Sequence, residues 1–159
     1  MSSLHCAIAT VGADGMPHIT PIGTVFLHDE PRGFFFDRYT STLATHLAHD
    51  NRVCLLAVNS GRLFWLRSLL RARFASAPGV RLYGTVGPLR EASTKERHRV
   101  QARTRASKWM KGSRLLWGDF THVRDIEFSS FRPVSYPVMM EGLWDAPARP
   151  DKSLCSPEI

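Results

Sequence analysis

The sequence predicts a mainly β domain, a small six-stranded antiparallel barrel with helices inserted after its third, fourth and fifth strands. Three observations carry this. Short runs rich in β-branched and aromatic residues recur along the chain. Turn residues separate them. A strand-rich pattern with short turns argues for a small antiparallel barrel with helices at its ends.

The elements follow in order. Leu4 to Val11 is apolar and ends at Gly12-Ala13-Asp14-Gly15, whose Asp-Gly pair signals a hairpin. Pro17 to Leu27 is the returning strand. Pro21 cannot donate to a ladder and Gly23 weakens one, so this strand is expected to bend or bulge. After the turn His28 to Gly33 comes an aromatic strand, Phe34 to Phe36. Ser41 through His49 places Leu43 and Leu47 on one helical stripe, with Thr40 or Ser41 as the N-cap and Asp50-Asn51 as the stop. Arg52 to Val58 is a buried strand. Gly61 to Phe74 is helical, with Leu63, Leu66, Leu69 and Leu70 as its apolar side. Val80 to Val86 alternates as a strand. Ser93 and Glu96 form a capping box opening a polar helix to about Ala106, and Val123 to Phe128 closes the barrel. The domain is expected to span 1–144. The tail 145–159, rich in Pro and charge, is expected to be disordered.

At 159 residues and 43% hydrophobic content the chain suits one domain with a substantial core. It has no apolar run of membrane-spanning length and no secretory signal pattern at its start, which leads us to expect a cytoplasmic protein. Cys6, Cys54 and Cys155 are odd in number and far apart, so neither a disulfide framework nor a zinc motif is expected. No nucleotide-binding glycine motif and no hydrolase or zinc-protease motif is present. An enzymatic role therefore calls for a cofactor that brings its own chemistry.

The net charge is +7, with a sequence pI near 9.9. Between Lys95 and Arg114 eight cations stand against Glu96 alone, a local excess equal to that of the whole chain. Such a block suits a solvated helix, a polyanion-binding patch or the rim of a site for an anionic ligand. A second anion signal lies at Phe36-Asp37-Arg38-Tyr39-Thr40-Ser41-Thr42. Here a strand runs into a helix start rich in hydroxyls, with one guanidinium beside it, a chemical match to phosphate. On local sequence alone the better-fitting reading is a simple helix cap, Thr40 or Ser41, with Arg38 solvated.

Several stretches together resemble the pyridoxamine 5′-phosphate oxidase-like family: ATVGADG-x-PHITP over 9–21, the aromatic strand, YTST over 39–42, HL-x-x-DNRV over 46–53, and Tyr83-Gly84. The likeness covers about residues 4 to 130. It implies an FMN-binding split barrel acting as a homodimer, with cofactor at the interface and a small-molecule substrate. It implies that Thr20, Pro21, Ile22, Gly23 and Thr24 lie along the flavin ring, and that residues 36–42 hold its phosphate. Trp109, Lys111 and Arg114 are expected to wall the site from the interface. No catalytic residue and no metal ligand is assigned. Thr42 and Leu43 stand where the family usually carries cations, and no substrate-holding Arg and Trp segment follows Phe131, which points away from pyridoxamine phosphate as substrate. Two alternatives stay open. One is a related deazaflavin (F420) oxidoreductase, whose acidic tail would meet the Arg-rich segments. The other is a non-enzymatic polyanion-binding or nucleic-acid-binding protein using 95–114, although no helix-turn-helix or aromatic platform accompanies that block.

Overall fold

The computed structural model describes residues 5–38, 41–105 and 120–143. Its strands are β1 (Cys6–Val11), β2 (Pro17–Ile22), β3 (Val25–Leu27), β4 (Arg32–Phe36), β5 (Arg52–Val58), β6 (Gly79–Glu91) and β7 (His122–Pro133). Its helices are α1 (Ser41–His49), α2 (Arg62–Leu70) and α3 (Thr94–Thr104), with a 3-10 turn at Pro137–Met139. All strand pairs are antiparallel, in the order β2-β1-β5-β6-β7-β4-β3.

The two outermost strands of this sheet, β2 and β3, are consecutive in the chain and joined only by Gly23 and Thr24. Three virtual bonds reach at most about 11 Å. The sheet must therefore curl until its edges nearly meet, leaving a barrel split between β2 and β3. The sequence predicts one bent strand from Pro17 to Leu27. The structure breaks it into two at the expected kink, so there are seven strands rather than six.

The barrel interior holds Ile8, Ile22, Val25, Phe35, Val53, Leu55, Val86 and Ile126, and α1 adds Leu43 and Leu47 to this core. A second core lies on the other side of β4. There Phe34, Phe36, Ala92, Val100 and Val123 pack together, joined by Phe26 and Phe120. Strand β4 is thus buried on both faces, which explains three consecutive phenylalanines in place of alternation. Gly84 sits where β6 shifts register against β7, and a Cβ there would stand 2.1 Å from the backbone oxygen of Glu127.

Helix α2 reverses one expectation. Leu63, Leu66, Leu69 and Leu70 are all exposed, Leu70 at 78%. The inward side carries Phe64, Trp65 and Ser68 instead. Phe64 and Trp65 meet Phe74 with ring centroids 5.8 and 5.5 Å apart, and Phe74 meets Tyr136. The Trp65 Nε1–H donates to the Asn59 carbonyl at 2.7 Å. Aromatic rings bury more area than leucine and win the inner face. Among the described residues no helix is long and apolar enough to cross a membrane.

Helix α3 begins with the predicted capping box, Ser93 and Glu96 bonding reciprocally. Arg90 ties it to the sheet, its Nη2 2.7 Å from Glu96 and 2.6 Å from Asp125. The hydrogen bonds from Arg90, helped by those from Ser93, hold the Glu96 carboxyl at about 2, against an ordinary 4.5. A lowered folded value means that this contribution to stability is complete above about pH 4.5 and is lost as pH falls toward about 2. Urea midpoints measured across that window should therefore drop with acidification. Glu96→Gln should start lower and show a shallower slope.

Candidate functional site

The segments singled out by sequence meet at the split. Thr20, Pro21 and Ile22 pair with Ile8, Ala7 and Cys6 of β1. On its other side β2 is a sheet edge, so one row of its backbone groups lies outside the ladder. Ile22 is buried in the barrel, Pro21 is exposed, and Thr20 and Gly23 are half-buried. Thr24 is buried, and its hydroxyl donates to the Phe36 carbonyl at 3.5 Å. That contact, with the adjoining pair Val25–Phe35, places the strand break against the end of β4.

From there the chain passes through Asp37 and Arg38, both half-buried, to the start of α1. Asp37 N–H donates to the His122 carbonyl at 3.2 Å. Its carboxylate accepts from Arg124 Nε at 2.5 Å, in an ion pair whose side chains are only 8% and 14% exposed. Arg124 thus cancels the one negative charge in a segment expected to receive an anion. Ser41 and Thr42 are exposed at the first turn of α1. Leu43, by contrast, is 1% exposed and part of the barrel core. A cation at position 43 would have to leave that core, so charge for a phosphate must come from elsewhere; Arg38 is the cation within the segment.

The structure therefore joins the two segments at one contact, Thr24 to Phe36, with Thr20 to Gly23 leading into it and Asp37 and Arg38 following it in the chain toward Ser41 and Thr42. Tyr39, Thr40, Trp109, Lys111 and Arg114 lie outside the described residues, as does the tail 145–159. Arg124 is a residue that sequence reasoning missed. Its signal was available in the alternation of β7: Arg124 shares a sheet face with Ile126, which is in the barrel core. A charged residue on an inward face calls for a partner. A separate cleft of about 570 Å³, lined by His28, Asp29, Glu30, Arg32, Asp125 and Glu127, includes none of the predicted site residues. Its acidic lining does not suit an anion.

The class of fold is a split antiparallel barrel with a helix start close to the split. The sequence profile described as pyridoxamine 5′-phosphate oxidase matches residues 2–127, and the chain belongs to that family. No curated protein sequence matches it. Among solved structures it is similar to an FMN-binding protein from Syntrophomonas wolfei subsp. wolfei at 10% identity and a TM-score of 0.60, over 85% of this chain and 80% of that one. It is also similar to HutZ, the heme storage protein of Vibrio cholerae, at 12% identity and 0.51, over 82% and 86%. HupZ of Group A Streptococcus matches at 16% and 0.50, over 80% and 82%. At such identities these likenesses are of fold.

The Asp37–Arg124 pair yields a test. Arg124→Ala leaves a buried carboxylate without its partner and should destabilise the fold by roughly 3–5 kcal/mol. Asp37→Asn combined with Arg124→Leu should recover much of that loss. Urea unfolding of the three proteins measures both.

Proposed function

We propose that this chain is a cytoplasmic homodimeric flavoprotein that binds FMN at the split and acts as an oxidoreductase on a small molecule. The observation that carries the reading is the Thr24–Phe36 contact, which sets the open edge of β2 beside the turn entering α1. Family membership supports it independently. The residues present fit the cofactor. The edge of β2 offers backbone donors and acceptors for the polar rim of a planar ring. Arg38, the Ser41 hydroxyl and the α1 N-terminus suit a phosphate. The local acid, Asp37, is already neutralised by Arg124.

The redox chemistry would be the flavin's own. The chain's part would be positional: the backbone edge of β2 would hold the ring, and Arg38, Ser41 and the start of α1 would hold the phosphate, so that proximity could supply much of the rate. The polyanion reading is less well supported. Arg103 donates to the Val25 carbonyl at 2.8 Å and lies 5.1 Å from the centre of the Phe26 ring, with Arg99 5.9 Å from the same ring. Part of the cationic row is thus turned onto the protein.

Exposed apolar side chains support the dimer. Leu63, Leu66, Leu69 and Leu70 on α2 and Ile19 at 74% exposure on β2 make surface that a second copy would cover.

Freshly purified protein should be yellow, with the visible bands of flavin, and should release FMN on denaturation. A bluer-absorbing chromophore would assign the deazaflavin instead. A colourless protein that takes up neither refutes the proposal. Arg38→Ala with Ser41→Ala should weaken FMN binding about a hundredfold or more in a fluorescence titration, because charge-assisted bonds contribute roughly 1.5–3 kcal/mol each and two are removed. Unchanged affinity would place the phosphate elsewhere. Light scattering should show a dimer that Leu66→Glu with Leu70→Glu converts to monomer.

A further inference from the structure

Three elements converge at the β1–β2 hairpin. His18 lies on β2, His46 on α1, and Gly12 at the end of β1. The two imidazole rings stand with centroids 4.3 Å apart and planes inclined by 46°. Their Nε2 atoms lie near a common point: a Cβ on Gly12 would lie 3.3 Å from His46 Nε2 and 3.5 Å from His18 Nε2. Asp14 Oδ1 lies 2.6 Å from that same point. The other nitrogen of His46, Nδ1, is 3.1 Å from the hydroxyl of Thr10, a residue only 3% exposed.

Two imidazoles bound to one ion at about 2.1 Å place their ring centroids roughly 4.6 Å apart at a right angle and roughly 5.3 Å apart in a tetrahedron, so this pair stands within about 1 Å of a chelate. When His46 Nδ1–H donates to the Thr10 hydroxyl, the Nε2 lone pair is left for a ligand, the second interaction that commonly orients a metal-binding histidine. Gly12 keeps the approach open, since any side chain there would fill it. Among the described residues no group of three or more His, Cys, Asp or Glu stands preassembled around an ion. The protein therefore offers a histidine pair. Asp14, whose Oδ1 accepts from the Met16 N–H at 3.0 Å, has lone pairs to spare for a third ligand position.

We propose that His18 and His46 form a two-histidine site for a borderline divalent ion such as Zn²⁺, Ni²⁺ or Cu²⁺, with Asp14 and water completing the coordination. Imidazole ligands select this group of ions over Mg²⁺ or Ca²⁺. Occupancy would clamp α1 to the β1–β2 hairpin. The proposal stands apart from the flavin reading, since it uses none of the residues assigned there.

The experiment titrates Zn²⁺ into the untagged full chain by calorimetry. Saturable binding of one equivalent is expected. His18→Gln and His46→Gln should each weaken it at least about tenfold, and Thr10→Val by about tenfold through the lost orientation of His46. His49→Gln, on the exposed side of α1, should leave it unchanged. In the unaltered chain Zn²⁺ should shift the imidazole ¹⁵N resonances of His18 and His46 together. No saturable heat, equal binding in the His18 and His46 variants, or resonances that stay put would each overturn the site.

Discussion

The structure depends on one topological constraint: the two edges of a seven-stranded sheet are tied by a two-residue connection. Consecutive strands usually pair with each other. Here β2 and β3 instead end up at opposite edges of the sheet, and closure brings them back to one another in space. Pro21 and Gly23 stand at the point where an ordinary hairpin or a continuous strand would otherwise form. Each removes something a regular ladder needs, one a donor and the other a packing side chain. Just past the break, Thr24 continues the β3–β4 register by one position, its hydroxyl donating to the Phe36 carbonyl. Closure of the barrel and construction of the candidate site are thus the same event.

Strand β4 is the second fixed point. Its inward Phe35 belongs to the barrel, while Phe34 and Phe36 belong to the core under α3. Because both faces are packed, the position of residue 36 is set from two directions. The turn that follows inherits that rigidity through the Asp37–Arg124 ion pair and the Asp37–His122 backbone bond. A binding turn works best when its supporting shell leaves it few alternatives, and here the support comes from β7 and the two cores rather than from the turn itself.

Much of this was legible in the chain. The kink at Pro21–Gly23, the Leu43 and Leu47 stripe, and the Ser93–Glu96 box each rest on local chemistry, and each appears where that chemistry puts it. The count of strands was not legible, because whether a kinked run stays one strand or joins both edges of a sheet is decided by partners distant in sequence. The face of α2 was misread for a related reason. Four leucines at helical spacing look like a core stripe until the helix is seen to end at Leu70, which lets Phe74 turn back onto Phe64 and Trp65 while Tyr136 packs on Phe74. The role of Arg124 also depended on register, since only the pairing of Phe35 with Arg124 places its guanidinium beside Asp37.

The charge of the chain gains a different meaning in three dimensions. Read along the sequence, the excess from Lys95 onward is a block of cations facing anything anionic. In the fold its first half is α3, and Arg99 and Arg103 lie over the ring of Phe26, on the strand that forms one lip of the split. Arg103 also holds the backbone of Val25, the first residue beyond the break. These cations therefore stiffen the edge of the opening before they can attract a ligand to it. A guanidinium engaged in this way still adds to the local positive potential. The same side chains brace the split mechanically and favour an anionic occupant beside it.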